Sequence, residues 1–185
     1  MRVYDFDKTI YNGDSAIDFY LYSIKKNPLL IRYLPKQALG CILYIIKIFN
    51  KEKFKTYFYS YFKGIKNIDS ETNKFWDKNQ NKIYEWYLND LKDNDVIITA
   101  SPEFFIKEIM SRLGKQTVIG SIVDKYTGEY SGKNCYGIEK VKRYNEIYSN
   151  KEIDEFYSDS LSDTPLAKIS KKSFLVEKGK VKTWR

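Results

Sequence analysis

Met1-Arg2-Val3-Tyr4-Asp5-Phe6-Asp7-Lys8-Thr9 opens the chain. The short apolar run up to Asp5 reads as a β-strand. Two aspartates at i and i+2 follow it, and a threonine stands two residues further on. Open α/β sheets bind ligands at the carboxyl ends of their strands, so small polar and acidic residues there are informative. Two other stretches repeat the arrangement. Val96-Ile97-Ile98 runs into Thr99-Ala100-Ser101, and the strand expected over 153–157 runs into Ser158-Asp159, with Asp163 four residues on. Thr117-Val118-Ile119 and Phe174-Leu175-Val176 read as two further strands.

Helical patterns lie between most of these strands. Ser101-Pro102-Glu103 is expected to start a helix, with Ser101 as its N-cap and an acid near the positive end of the dipole. That helix stops at Gly114. Tyr126-Thr127-Gly128 reads as a hairpin turn. Gly137 to Tyr148 reads as a helix with Ile138, Val141, Tyr144 and Ile147 on one face. Strands alternating with helices imply an α/β, Rossmann-like three-layer core with a mainly parallel sheet. About 80 residues separate the first two strands, too many for a structureless loop. They read as helices over 15–26, 29–50, 51–63 and 70–91. The expected organisation is a core of residues 1–14 and 92–185, with an all-helical cap, 15–91, inserted into it.

The composition narrows the chemistry. The 185 residues include no histidine and only two cysteines, Cys41 and Cys135. Ser-His-Asp and Cys-His catalysis are excluded, as are most zinc hydrolase sites and any disulfide framework. What remains is carboxylates, lysines, hydroxyls and a metal held by oxygen. Magnesium takes such ligands, commonly one or two carboxylates with waters and a substrate phosphate. A carboxylate is also a competent nucleophile. Phosphoryl transfer asks mainly for positioning and neutralisation of charge, which a metal, a lysine and backbone N–H groups provide.

Asp5-Phe6-Asp7-Lys8-Thr9, Thr99, a lysine near a helix start and the pair Asp159 and Asp163 occur in the order found in haloacid dehalogenase-like phosphatases, which this sequence resembles essentially throughout. The helical insertion resembles the branch that includes phosphoserine phosphatase. The resemblance implies Asp5 as nucleophile and metal ligand, and Asp7 as general acid/base whose carbonyl also meets the metal. It implies Thr99, with Ala100 and Ser101, at the substrate phosphate. Asp159 would bind Mg²⁺ directly, and Asp163 would hold a metal-bound water or the lysine. Lys140 is the first choice for that lysine, with Lys142 and Lys133 as alternatives. Asp14 falls where an acid reads the substrate amine in phosphoserine phosphatases, and equally where a helix N-cap belongs. Ala100 and Ser101 replace the two glycines usual in that branch, and Ser158 stands where glycine is common.

The net charge is +8, and it is concentrated. Residues 24–66 hold ten of the 32 Lys and Arg residues against a single acid, Glu52. The aromatic, lysine-rich stretch 51–63 lies within it. Such a segment attracts an anionic partner, either a small phosphorylated substrate or an acidic membrane surface contacted peripherally. The predominance of lysine over arginine argues against sequence-specific nucleic-acid recognition. No apolar run reaches the roughly 20 residues of a membrane span, and no apolar leader precedes the first strand. The expected location is cytoplasmic, with the inner membrane surface as a possible contact. The leading expectation is a Mg²⁺-dependent phosphatase acting on a small phosphomonoester. The rivals are a phosphatase of lipid-linked phosphate, and a non-catalytic receiver-like or anion-binding module.

Overall fold

The computed structural model describes residues 1–114 and 116–184. Six strands form one sheet in the order β3-β2-β1-β4-β5-β6. They are β1 (Arg2–Tyr4), β2 (Val96–Pro102), β3 (Thr117–Ser121), β4 (Ile153–Ser158), β5 (Ser170–Glu177) and β6 (Lys180–Thr183). All neighbours are parallel except β5 and β6, which form an antiparallel edge. β1 sits between β2 and β4, with Val3 opposite both Val96 and Phe156. Arg2 helps fix this register. Its Nε and Nη2 donate to the buried Asp95 carboxylate at 2.9 and 2.8 Å, just before β2.

Alternation along the strands supplies two apolar faces. Val3, Val96, Ile98 and Phe156 pack with Tyr144 of α7 (Ile138–Tyr148) and Leu166 of α8 (Thr164–Ala167). Tyr4 and Ile97 face the other way, onto Ile106 and Ile109 of α6 (Glu103–Leu113). The same cluster continues into the helices between β1 and β2, all of which contribute to it except the second. These are α1 (Ser15–Lys26), α2 (Leu34–Ile45), α3 (Lys51–Phe58), α4 (Ile68–Asn79) and α5 (Glu85–Leu88). Phe19, Phe75 and Trp76 pack around Phe105, and the Trp76 indole N–H donates to the Phe105 carbonyl at 2.9 Å. The layered α/β architecture with helices inserted after β1 is as expected.

Four details differ from the expectation. The helix expected over 29–50 is a 3₁₀ segment, Pro28–Tyr33, followed by α2. Pro35 lacks an N–H and fits only a first turn, and Lys47 in a left-handed conformation (φ 61°) closes the end. The helix expected over 51–63 stops at Phe58 and tightens into a 3₁₀ segment, Tyr59–Gly64. The helix expected over 70–91 breaks after Asn79 because Ile83 and Tyr84 pair with the loop after β1, where the Tyr84 N–H donates to the Ile10 carbonyl at 2.9 Å. Finally, Ser101 is not a helix cap. It belongs to β2, and α6 begins at Glu103.

Candidate active site

Asp5 and Asp159 sit just beyond the carboxyl ends of the adjacent strands β1 and β4, and Thr99 is the fourth of the seven residues of the neighbouring β2. The Asp5 N–H still pairs with the Tyr157 carbonyl at 2.8 Å, so its side chain leaves the sheet beside Asp159. The backbone then turns sharply. The N–H groups of Thr9, Ile10 and Tyr11 all donate to the Phe6 carbonyl, and Lys8 adopts a left-handed φ of 58°. This turn brings Thr9 back toward the sheet. Its hydroxyl oxygen accepts from the Asp159 N–H at 2.9 Å and lies 3.4 Å from Asp5 Oδ2. Thr9 thus ties the first acidic segment to the last.

Lys140 enters from the opposite side. Gly137 precedes α7 with φ 56° and ψ −124°, which a residue with a Cβ rarely adopts. The turn it makes puts Lys140 on the first turn of α7 with its side chain pointing into the sheet end. Lys140 is 1% exposed, and its Nζ donates to Asp5 Oδ1 at 2.7 Å and to Asp163 Oδ2 at 2.6 Å. Asp163 Oδ2 also accepts from the Ser158 hydroxyl at 2.8 Å. Burial alone would lower the Lys140 pKa, but Asp5 and Asp163 outweigh it and hold the ammonium above the ordinary lysine range. Lys142 and Lys133, the alternatives, are exposed and point elsewhere.

Asp7 has its own partners. Its Oδ2 accepts from the Ser101 hydroxyl at 2.6 Å and its Oδ1 from the Ser15 N–H at the start of α1, at 2.7 Å. Burial raises its pKa and Asp14 adds to the effect, while the Ser101 and Ser15 bonds oppose it. Asp14 caps α1 through the Ile17 N–H at 3.1 Å. Thr99 Oγ1 accepts from the Ser101 N–H at 3.1 Å, which shapes the end of β2.

All nine candidate residues line one cavity of about 470 Å³. Its roof is α3, which contributes Lys51, Phe54, Lys55 and Phe58, a stripe at helical spacing. Lys55 was not singled out in the sequence. Its Nζ donates to the Ala100 carbonyl and to Asn134 Oδ1, both at 2.8 Å, and so links the helical roof to the end of β2. Burial of this ammonium, with repulsion from Lys51, lowers its pKa to about 8.

Carboxylates outnumber cations at the sheet end. Burial raises Asp5 to about 7, against the pull of Lys140 and with Asp163 and Asp159 pushing the same way. Asp159 is raised by burial and by Asp163, against Lys8 and Lys140. Asp163 Oδ1 is buried with no partner among the described residues. Those residues contain no cluster of three or more His, Cys, Asp or Glu side chains that could hold a metal ion. A magnesium ion needs only one or two carboxylates, completed by carbonyl, water and phosphate oxygens. Asp5 and Asp159 meet that requirement, and a divalent cation would supply the charge that Lys140 alone does not.

The comparisons with known proteins bear on the family and the fold. A family model described as haloacid dehalogenase-like hydrolase matches residues 3–168. No curated protein matches the chain. Among solved structures, a protein of unknown function from Bordetella pertussis Tohama I is 18% identical with a TM-score of 0.75, covering 94% of this chain and 87% of that one. A phosphoserine phosphohydrolase-like protein from Francisella tularensis subsp. tularensis SCHU S4 is 15% identical with a TM-score of 0.55, covering 94% and 86%. An apo-form phosphoserine phosphatase is 14% identical with a TM-score of 0.51, covering 92% and 82%. At such identities these three similarities concern the fold. With the family match over residues 3–168, the chain belongs to the haloacid dehalogenase-like hydrolases.

Proposed function

We propose that the chain is a magnesium-dependent phosphomonoesterase that works through an aspartyl-phosphate on Asp5. The observation that carries this assignment is the buried Asp5–Lys140–Asp163 chain, with a second carboxyl, Asp7, held nearby on separate donors. In this assignment residues 15–91 act as the lid, and 1–14 with 92–185 act as the catalytic core.

Lys140 orients the Asp5 carboxylate and favours its charged form against the effect of burial. One Asp5 oxygen attacks phosphorus, and the phosphorus–ester oxygen bond breaks. The departing oxygen keeps the electron pair and takes the Asp7 proton. The raised pKa of Asp7 favours the protonated form needed for this step. Asp7, now ionised, next accepts a proton from water as the water oxygen attacks the phosphoaspartate. The bond between phosphorus and the Asp5 oxygen breaks, releasing inorganic phosphate and the Asp5 carboxylate. Thr99, with backbone of Ala100 and Ser101, would meet the phosphate oxygens. Mg²⁺ would be held by Asp5, the Asp7 carbonyl and Asp159, and when bound it neutralises phosphate charge.

The cavity suits a small phosphorylated metabolite, phosphoserine or another, beneath a roof carrying Lys51 and Lys55. Asp14 would be the group to face a substrate amine. The test is Mg²⁺-dependent release of p-nitrophenol from its phosphate. Asp5→Asn is expected to abolish turnover with unchanged circular dichroism, and retained turnover would overturn the assignment.

A further inference from the structure

Helix α2 is turned inside out. Its two enclosed positions are Gln37 and Gly40. Gln37 Oε1 accepts from the Tyr20 hydroxyl at 2.6 Å, and its Nε2 donates to the Phe58 carbonyl at 2.8 Å. Gly40 admits Tyr57 so closely that a Cβ there would come within 2.5 Å of the Tyr57 Cβ. The apolar side chains point the other way. Leu34, Leu39, Ile42 and Ile45 are 44, 49, 55 and 69% exposed. At about 100° per residue, Leu34, Ala38, Ile42 and Ile45 fall on one uncharged face.

The patch continues beyond the helix, through Leu29 and Ile31 before it and Ile46 and Ile48 after it. Nine of the twenty exposed large hydrophobics among the described residues lie within 29–48. Packing against this protein's own core would favour the opposite orientation, with Ile42 and Ile45 inward and Gln37 outward. A contiguous exposed patch of this kind marks an interaction surface.

Its charge identifies the partner. Arg32 and Lys47 flank the patch, are exposed, and form no ion pair among the described residues. Glu52, the one acid in residues 24–66, is already engaged as acceptor for the Asn134 N–H at 3.0 Å. No helix among the described residues is long and apolar enough to cross a membrane. From this juxtaposition of outward aliphatics and unneutralised cations we infer that α2 and its flanking turns dock flat on an anionic lipid bilayer. The aliphatics enter the acyl boundary, and Arg32 and Lys47 meet the headgroup phosphates. Apposing two copies of this face would instead set like charges against one another. α2 packs on α3 through Tyr57, and the Tyr44 and Phe54 rings stack at 5.0 Å. Because α3 roofs the cavity, docking holds the cavity beside the lipid surface. The inference rests on the surface alone and is independent of the chemistry assigned to the cavity.

The full chain is sedimented with vesicles of equal parts phosphatidylglycerol and phosphatidylcholine, and with phosphatidylcholine vesicles, at low and high salt. Pelleting with the anionic vesicles at low salt, largely lost at high salt, is expected. I42S/I45S is expected to weaken partitioning by about tenfold or more, and R32E/K47E by a similar factor. Both pairs are exposed, so unchanged Tm and circular dichroism establish that the variants fold. Absence of pelleting with anionic vesicles, or pelleting that I42S/I45S leaves intact, overturns the inference. So does a dimer in sedimentation equilibrium that I42S/I45S abolishes, which would assign the face to a second copy of the chain.

Discussion

Lys140 reaches Asp5 across 135 positions of sequence, its Nζ 2.7 Å from Oδ1, and the same ammonium holds Asp163. Each of the three is at least nine-tenths buried. One cation therefore pairs with two carboxylates that are largely shielded from water. Removing it leaves both acids buried together. Lys140→Met is expected to destabilise the metal-free protein by about 3–5 kcal/mol, the usual cost of stranding a buried charge. Urea unfolding with and without Mg²⁺ checks this. A divalent ion binding the freed carboxylates should recover part of the loss, and turnover should remain negligible under both conditions.

Asp7 and its donor Ser101 separate proton transfer from positioning. Asp7→Asn keeps a similar shape but carries no transferable acid proton. It is expected to slow kcat by about 10²–10⁴ with KM little changed. Ser101→Ala keeps the carboxyl and removes one hydrogen bond to it, so Asp7 should titrate higher still. A loss of about tenfold in kcat is expected, with the limb of the pH–rate profile belonging to Asp7 moved to higher pH. Steady-state kinetics across pH distinguishes the two. An unchanged profile in Ser101→Ala would remove Ser101 as a positioning residue.

The acidic cluster predicts how the protein responds to metal. Chelation should abolish turnover, and Mg²⁺ should restore it. Because burial and mutual repulsion raise Asp5 and Asp159, neutralisation by a cation should also stabilise the fold. A rise in Tm on titrating Mg²⁺ is expected, reduced in Asp159→Asn. A Tm indifferent to Mg²⁺ in the unmodified protein would contradict the assigned ligands.

The strand ends were legible in the sequence because their chemistry sits against an apolar background. Asp5, Thr99 and Asp159 each follow a run that can only be core. Lys140 was legible as the lysine nearest a helix start. Lys55 was hidden for the opposite reason, as one of ten basic residues in 24–66. Only the spacing Lys51, Phe54, Lys55, Phe58 could have marked the face that looks inward. β6 also escaped notice. Its four residues are all exposed and two are lysines, so it carries no apolar alternation, which suits a protected sheet edge. The Ser101 N-cap was misread because the hydroxyl serves Asp7, a partner 94 positions away that local helix signals cannot reveal.

Lys55 gives a pH signature of its own. Its pKa is lowered to about 8 in the fold, mainly by burial, below the ordinary lysine value. Below pH 8 the group is charged in both folded and unfolded states, and the folded state bears the full desolvation penalty. Between about pH 8 and the ordinary lysine range, the unfolded chain binds more protons than the folded one. Stability contributed by this site therefore rises with pH across that window. Lys55→Met should abolish the rise. It should be close to neutral for stability at pH 7, because Ser121 Oγ still donates to the Ala100 carbonyl at 3.0 Å and lies 3.2 Å from Asn134 Oδ1. The same substitution removes a cation from the cavity roof, so KM for an anionic substrate should rise by about tenfold or less while kcat holds. Denaturant unfolding at closely spaced pH values, with the variant compared against the unmodified chain, reads the first effect. A slope that persists in Lys55→Met would mean that another group sets it.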